Sequence, residues 1–226
     1  TYLGQATYQF TIKDDHRIKV LAGAQSELTT QYFFGASRTG FINPNQPYLN
    51  LGTGNRDNNA GTQELALAGF YGRVNYSFRD KYLLEVNGRR DGSSRFSQLN
   101  DKQWGNFGSF SAGWVFSKEN FMENVKAIDI AKLRFSLGGN GNQNIGSDFY
   151  VFDAFYENAV YNNNVNGTNS YINNVTNVGL ALLQFPNPNL GWETSKQWNI
   201  GLDISFLKNF TLTADYYVKT LEDMLL

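Results

Sequence analysis

The sequence predicts an all-β fold, an antiparallel transmembrane β-barrel segment of about eight strands within a larger barrel. Three observations predict it: apolar and polar residues alternate over long segments, short links alternate with long ones, and the polar face holds many small residues. Successive side chains of a strand point to opposite faces of a sheet. Long alternation therefore indicates a wall with one apolar and one polar side.

The first two segments are residues 2–13 and 17–27. Apolar residues occupy alternate positions in both, namely Tyr2, Ala6, Tyr8, Phe10 and Ile12 in the first, and Ile18, Val20, Ala22 and Ala24 in the second. Leu21 is the exception, an apolar residue on the polar side of the second segment. We expect two strands joined by the short link at residues 14–16.

Residues 64–79 and 81–90 form the next pair, and the first of them has the clearest alternation in the chain. The residues predicted to face lipid there are Phe70, Val74, Tyr76 and Phe78. Those predicted to face the lumen are Tyr71, Arg73 and Asn75. The pair is joined by a short link at residues 79–81.

The remaining segments are residues 106–116, 130–140, 196–206 and 210–219. Their residues predicted to face lipid are Leu133, Phe135, Leu137, Ile200, Leu202 and Ile204. Those predicted to face the lumen are Arg134, Asn199 and Asp203. Some of these segments exceed the usual strand length of about 5–6 residues in globular proteins, which favours a membrane-crossing wall.

The links between segments divide the molecule into two ends. Short links lie at 14–16, 79–81 and 208–209, a longer one at 117–129, and long loops at 28–63, 91–105 and 141–191. Outer-membrane barrels have short periplasmic turns and longer extracellular loops. Aromatic residues flank the short links: Phe10, Phe78, Tyr82, Phe116, Phe206 and Phe210. They fit an interfacial girdle, although aromatic residues are also common in ordinary strands.

Composition excludes several classes of function. The formal net charge is −1 and the basic residues are scattered, so there is no footprint for nucleic acid. There is no cysteine, and the one histidine, His16, lies in a predicted turn, which disfavours an enzyme. We expect no catalytic residue, no metal site and no cofactor; residues 55–59 carry oxygen ligands but lack the spacing of a calcium loop.

Small residues on the polar face bear on the width of the barrel. They are Gly23, Gly69, Ser109, Ser111, Gly113, Ser136, Gly138 and Gly201. A narrow eight-stranded barrel is filled by its own side chains, so this lining favours a wider one. Thr1 begins inside a strand pattern and the chain ends at Leu226 without a terminal aromatic residue. We therefore expect a piece of a larger wall.

Several sequence runs carry a family resemblance. They are R-R-D-G-S-S-R-F at 89–96, W-G at 104–105, S-F-S-A-G-W at 109–114, E-N-F-M at 119–122, L-R-F-S-L-G-G-N-G-N at 133–142, N-P-N-L-G-W-E-T at 187–194 and N-I-G-L-D at 199–203. In this order they resemble the SusC/RagA family of TonB-linked (TonB-dependent) outer-membrane transporters. Gly108 stands where that family usually has proline.

The resemblance implies a function as well as a fold. Members of the family are 22-stranded barrels of the bacterial outer membrane with an N-terminal plug, and a SusD-like surface lipoprotein lids the extracellular mouth. They import oligosaccharides or peptides, driven by TonB acting on the plug. On this basis residues 1–226 are all barrel wall, and the plug and the TonB-contacting segment lie outside this chain.

Aromatic residues in the longest predicted loop are candidates for contact with a ligand or partner. They are Tyr150, Phe152, Phe155, Tyr156, Tyr161 and Tyr171. Binding residues concentrate on loops held by a rigid scaffold. Flat rings beside amide groups suit sugar rings, a lipoprotein lid or packing among the loops, and the sequence leaves these three open.

Two other readings of the whole chain remain open at this stage. One is a complete small outer-membrane barrel that acts as an adhesin or anchor. The other is a soluble carbohydrate-binding β-sandwich, since alternating strands also occur there. The sandwich predicts solubility without detergent and apolar faces buried between two sheets.

Overall fold

Strands dominate the computed structural model, which describes residues 1–144, 152–160, 164–165, 168–169 and 178–224. The strands are β1 (Tyr2–Ile12), β2 (His16–Arg38), β3 (Arg56–Phe78), β4 (Tyr82–Ser93), β5 (Trp104–Trp114), β6 (Ile128–Asn142), β7 (Phe155–Val160), β8 (Asn164–Val165), β9 (Thr168–Asn169), β10 (Val178–Gln184), β11 (Glu193–Phe206) and β12 (Phe210–Glu222). Short 3₁₀ turns lie at Leu49–Leu51, Leu99–Asp101, Phe116–Lys118 and Asn120–Met122. None of the helices described is long and apolar enough to cross a membrane.

One antiparallel sheet contains all the strands predicted from alternation. Its order is β1-β2-β3-β4-β5-β6-β11-β12, so each strand neighbours the next one in the chain except where the sheet passes from β6 to β11. Between those two, β7 pairs with β10 and β8 pairs with β9 outside the sheet. The predicted all-β, eight-stranded antiparallel architecture is confirmed.

Three tight turns join β1 to β2, β3 to β4 and β11 to β12, as predicted. Each contains two consecutive residues with positive φ and no glycine: Lys13 and Asp14, Arg79 and Asp80, Leu207 and Lys208. In the second turn, the Lys81 N–H donates to the Phe78 carbonyl at 2.9 Å. Two left-handed residues give a turn whose twist matches that of the flanking strands, which offsets their conformational cost.

The predicted loop at 28–63 is wrong for most of its length. β2 continues to Arg38 and β3 begins at Arg56, so only residues 39–55 connect them. Residues 29–34 are rich in Thr, Tyr and Phe, which favour strands, and pairing carries the polar residues 56–63 into the opposite strand. The oxygen-rich residues 55–59 therefore lie mostly in β3, where successive side chains alternate between faces rather than encircle an ion.

The wall curves around its polar face. One hollow on that face is lined by residues of every strand from β1 to β6 and by Asn199 of β11. In the sheet order, β11 lies six strands beyond β1. Along a flat sheet that separation is about 29 Å. The polar face is therefore concave and the apolar face convex.

Candidate functional site

Strand register sorts the predicted residues onto two faces. One row across the sheet joins Ile18, Tyr76, Leu84, Ala112, Phe135, Ile200 and Tyr216. The next row joins Lys19, Asn75, Glu85, Ser111, Ser136, Asn199 and Tyr217. All residues predicted to face lipid share the convex face, and all those predicted to face the lumen share the concave one. That lipid and lumen are the two surroundings stays a prediction.

The convex apolar face is more exposed than the concave polar face. Phe70 is 59% exposed, Val86 52% and Tyr216 63%. Along β4 the outward Tyr82, Leu84 and Val86 are exposed, while the inward Glu85 and Asn87 are partly buried. This inverts the usual arrangement of a protein in water, where the larger apolar side chains are buried.

A hydrogen-bonded network covers the middle of the concave face. Arg73 Nε donates to Asn87 Oδ1 at 2.6 Å, and Asn87 Nδ2 donates to Glu85 Oε1 at 2.8 Å and to Ser109 Oγ at 3.0 Å. Asn75 Nδ2 also donates to Glu85. The network spans β3, β4 and β5, so this part of the face presents fixed polar groups instead of mobile side chains.

A second cluster lies on β6, β11 and β12. Arg134 donates to both carboxylate oxygens of Asp203, at 2.7 and 3.0 Å, and its Nη2 also donates to Asp215 at 3.2 Å. A bidentate pair of this kind holds the guanidinium in one orientation. Arg134 and Asp203 were predicted to face the lumen; Asp215, which completes the cluster, was not among the predicted site residues.

The loop end of the concave face carries a buried turn formed by residues 93–97. Ser94 N donates to the Ala66 carbonyl at 3.0 Å, and its Oγ accepts the Ala66 N–H at 2.9 Å. Ser93 N donates to the Gln103 carbonyl at 3.0 Å. These bonds fold the chain over the concave side, and Phe96 becomes 1% exposed.

Phe96 belongs to an aromatic cluster that fills a split in the wall. Its ring centroid is 5.3 Å from that of Trp192, which is 5.4 Å from that of Phe107. β5 and β6 pair only from Ser109–Gly138 to Trp114–Leu133, and above that point the strands separate. The three rings lie where backbone pairing has stopped.

Two glycines and one hydrogen bond hold the cluster. The Phe107 ring occupies the space that a Cβ at Gly105 or Gly141 would need. Trp192 Nε1 donates to the Gln103 carbonyl at 3.1 Å. The cluster was not predicted as a site, although its residues belong to the quoted runs 89–96 and 187–194 or lie between the runs at 104–105 and 109–114. The quoted runs at 89–96 and 187–194 were the signal in the sequence that marked the two distant segments whose rings meet here.

The turn end carries the aromatic residues predicted to flank the short links. Glu119 accepts hydrogen bonds from Tyr82 Oη at 2.7 Å, Trp114 Nε1 at 3.1 Å and Lys81 Nζ at 3.3 Å. The Tyr82 hydrogen bond, followed by that of Trp114, lowers the pKa of Glu119 below its usual value of 4.5. The carboxylate thus holds two aromatic rings in fixed orientations: Tyr82, which belongs to the predicted girdle, and Trp114, which was not predicted as part of it.

The predicted loop aromatics are only partly described. Tyr150, Tyr161 and Tyr171 lie outside the described residues. The Phe152 carbonyl accepts the Asn187 N–H at 3.1 Å. Phe155 begins β7, and Tyr156, which pairs with Leu182, is 61% exposed. Their role in contact with a ligand or partner stays a prediction.

Comparison with known proteins identifies relatives that match most of this chain. It is 35% identical over 224 residues to TonB-dependent receptor P39 of Formosa agariphila, covering 96% of this chain and 20% of the relative. It is 36% identical over 171 residues to TonB-dependent receptor SusC of Bacteroides thetaiotaomicron, covering 75% of this chain and 16% of SusC. The chain thus spans about a fifth of the length of these relatives.

Solved structures share the fold. A structure of the RagAB peptide transporter superimposes with a TM-score of 0.82 at 26% identity, over 98% of this chain and 23% of that one. A structure of the RagAB peptide importer in an open state gives a TM-score of 0.79. The family model for the TonB-dependent receptor-like β-barrel matches residues 1–226. With its open, two-faced antiparallel wall, this chain belongs to the TonB-dependent receptor-like β-barrel family.

Proposed function

We propose that this chain is a barrel-wall portion of a TonB-dependent importer of the bacterial outer membrane. The observation that carries the proposal is the inverted exposure of the sheet: its convex apolar face is the more exposed, and its concave polar face holds the fixed hydrogen-bonded groups. A lipid bilayer supplies the apolar surroundings that the convex face lacks in water. The concave face then borders a polar lumen.

The edges of the sheet favour a larger barrel over a complete small one. Across the described residues, β1 pairs only with β2, and β12 pairs only with β11. A closed eight-stranded barrel requires β1 to pair with β12. In the proposal, further strands of a longer protein continue the wall at both edges, within a barrel of 22 strands.

A soluble β-sandwich agrees less well with the same sheet. A sandwich buries the inner faces of two sheets against each other. In the part of the chain that the structure describes, no second sheet covers Phe70, Val86 or Tyr216. The wall also needs no catalytic residue, and the relatives are named as receptors.

Partners and cargo are inferred from the relatives. A SusD-like surface lipoprotein would lid the barrel at the loop end, and TonB would act through a plug region outside these residues. The cargo is an oligosaccharide or a peptide, and RagAB, described as a peptide transporter, supports the second. Uptake of fluorescent oligosaccharides and peptides by cells with and without the full-length protein separates the two.

The face assignment can be tested by site-directed spin labelling. Residues 1–226 contain no cysteine, so a single introduced cysteine is unique within this part of the full-length protein. Val74→Cys and Ile200→Cys test the convex face, and the adjacent Asn75→Cys and Asn199→Cys are their matched controls. In vesicles, we expect labels at 74 and 200 to collide mainly with oxygen, which concentrates in lipid, and labels at 75 and 199 with a water-soluble nickel chelate.

The pattern of accessibility separates the candidate functions. Alternation between neighbours supports a wall in lipid. Equal access of the nickel chelate to all four labels, with the protein soluble in buffer, would contradict a membrane wall and favour the sandwich.

A further inference from the structure

Arg90 lies on the convex face among otherwise uncharged neighbours. Its register partners are Phe70 on β3 and Asn106 on β5. Arg90 Cζ is 5.2 Å from the centroid of the Trp104 ring, and that ring stacks on Phe70 with centroids 6.5 Å apart. A guanidinium over an indole face gains cation–π attraction and leaves its N–H groups free to bind a further group.

Gly92 leaves room for the Trp104 ring on which Arg90 lies. Gly92 pairs with Trp104, and a Cβ at Gly92 would lie 2.9 Å from the Trp104 ring. Only glycine leaves enough room for the indole to lie across β4. The orientation of Trp104, and with it that of Arg90, is therefore built into the wall.

Arg90 also lies near the far edge of the apolar band. It follows Tyr82, at the turn end, by eight residues along β4, and the outward residues between them are Leu84, Val86 and Gly88. This distance is about 26 Å along the strand, or about 20 Å across the membrane at the usual strand tilt. The apolar band of an outer-membrane barrel is about 25 Å tall, so the backbone of Arg90 lies about 5 Å inside its far edge. The long side chain of arginine spans that distance and brings the guanidinium to the level of the lipid headgroups.

No carboxylate neutralises Arg90 within the described residues. By contrast, Lys196, the first outward charge of β11 counted from its turn end, pairs with Glu222 at 2.6 Å. Arg89, the inward neighbour of Arg90, pairs with Asp91. A lone cation at the edge of a hydrocarbon layer is stabilised by an anion at the same depth, and the headgroup phosphates of the bilayer provide one.

We propose that Arg90, Asn106 and Trp104 form a docking site for the phosphate of an anionic lipid headgroup. The guanidinium binds two phosphate oxygens, the Asn106 amide donates to a third, and the indole holds the guanidinium in place. This inference rests on the proposed membrane orientation of the wall.

The site is tested by lipid retention. The full-length protein and its Arg90→Gln, Arg90→Lys and Lys196→Gln variants are reconstituted in phosphatidylcholine vesicles with phosphatidylglycerol and then extracted in detergent. The phosphatidylglycerol that remains bound is quantified. We expect Arg90→Gln to retain about fivefold less, the factor for one surface cation. Lys196→Gln should match the wild type, and Arg90→Lys should lie between.

The outcomes separate this site from the proposed function. Equal retention by the wild type and Arg90→Gln, with both inserted in the vesicles, overturns the docking site and leaves the membrane wall intact. Failure of every form to insert overturns the wall itself. Displacement of the bound lipid by inorganic phosphate at low millimolar concentration would show that a free anion suffices, which contradicts a headgroup site.

Discussion

Gly201 lies where large polar side chains cross the concave face. A Cβ at this position would lie 2.7 Å from Nη2 of Arg134 and would also meet Asp215. The bidentate contact of Arg134 with Asp203 fixes the guanidinium there. The cluster of Arg134, Asp203 and Asp215 therefore requires a residue without a side chain at position 201.

Gly201→Ala is expected to destabilise the protein by about 1–3 kcal/mol, because the added methyl group displaces the Arg134 guanidinium from its partners. Urea unfolding of the full-length protein in detergent micelles measures the effect. Gly88→Ala is the matched control, since nothing lies within 4 Å of a Cβ there. Alanine lowers the backbone entropy cost at that strand position, so the control should be neutral or gain about 0.5–1 kcal/mol. Equal effects at both glycines would contradict the steric argument.

Alternation predicted the face of each residue, but it did not predict what the inward glycines do. They were interpreted as the small lining of a wide lumen. The structure shows that two of these glycines leave room for a large neighbouring side chain: the Tyr71 ring lies over Gly23, and Arg134 lies over Gly201. Which large side chain covers which glycine depends on register and rotamer, and a sequence pattern contains neither.

At the scale of elements, the split between β5 and β6 is the part of the wall that backbone pairing does not close. Above Ser109 and Gly138, the rings of Phe96, Phe107 and Trp192 take its place. Phe96 is the fully buried member of this cluster. The stability of the upper wall therefore depends on side-chain packing as well as on the ladder of hydrogen bonds.

Phe96→Ala is expected to lower the free energy of unfolding by about 3–5 kcal/mol, because it leaves a cavity against Trp192. Leu99→Ala, in the same segment but 65% exposed, is the control and should change it by less than about 0.5 kcal/mol. Tryptophan fluorescence during denaturant unfolding reports both. A small effect of Phe96→Ala would mean that the split is held by the backbone turn at 93–97 alone.

The sequence predicted the strands of the sheet and the short turns, because periodicity and turn chemistry are local. It did not predict the extension of β2 and β3 to Arg38 and Arg56, because residues 56–63 are poor strand formers that pair only through their partner strand. It also did not predict that Phe96 and Trp192 meet, since that contact joins segments far apart in the chain.

On the scale of the whole molecule, the open edges of β1 and β12 govern how the wall behaves by itself. Neither edge has a further partner strand among the described residues, so each presents unpaired N–H and C=O groups. Such edges pair with other chains when left uncovered. The convex face adds a broad apolar surface. Residues 1–226 alone should therefore form no closed barrel.

Residues 1–226, refolded alone in detergent, are expected to show no heat-modifiable band on electrophoresis, because closure of the sheet is what resists unfolding at room temperature. The full-length protein, treated in the same way, should show that band. A heat-modifiable monomer of the 226-residue chain would instead favour the complete small barrel.

The ribbon formed by the upper parts of β2 and β3 stands apart from its neighbours. β4 pairs with β3 only from Leu67 onward, and β1 pairs with β2 only as far as Ser26. Among the described strands, residues 27–38 and 56–66 therefore pair only with each other, and Ala66 at the base of the ribbon also bonds to Ser94. Over evolutionary time, the ribbon is free to lengthen or shorten by one residue in each strand while the register of the wall below it is preserved. A single unmatched insertion would create a bulge confined to the ribbon, so the outer parts of β2 and β3 can change in length and sequence without altering the strand pairing of the wall below them.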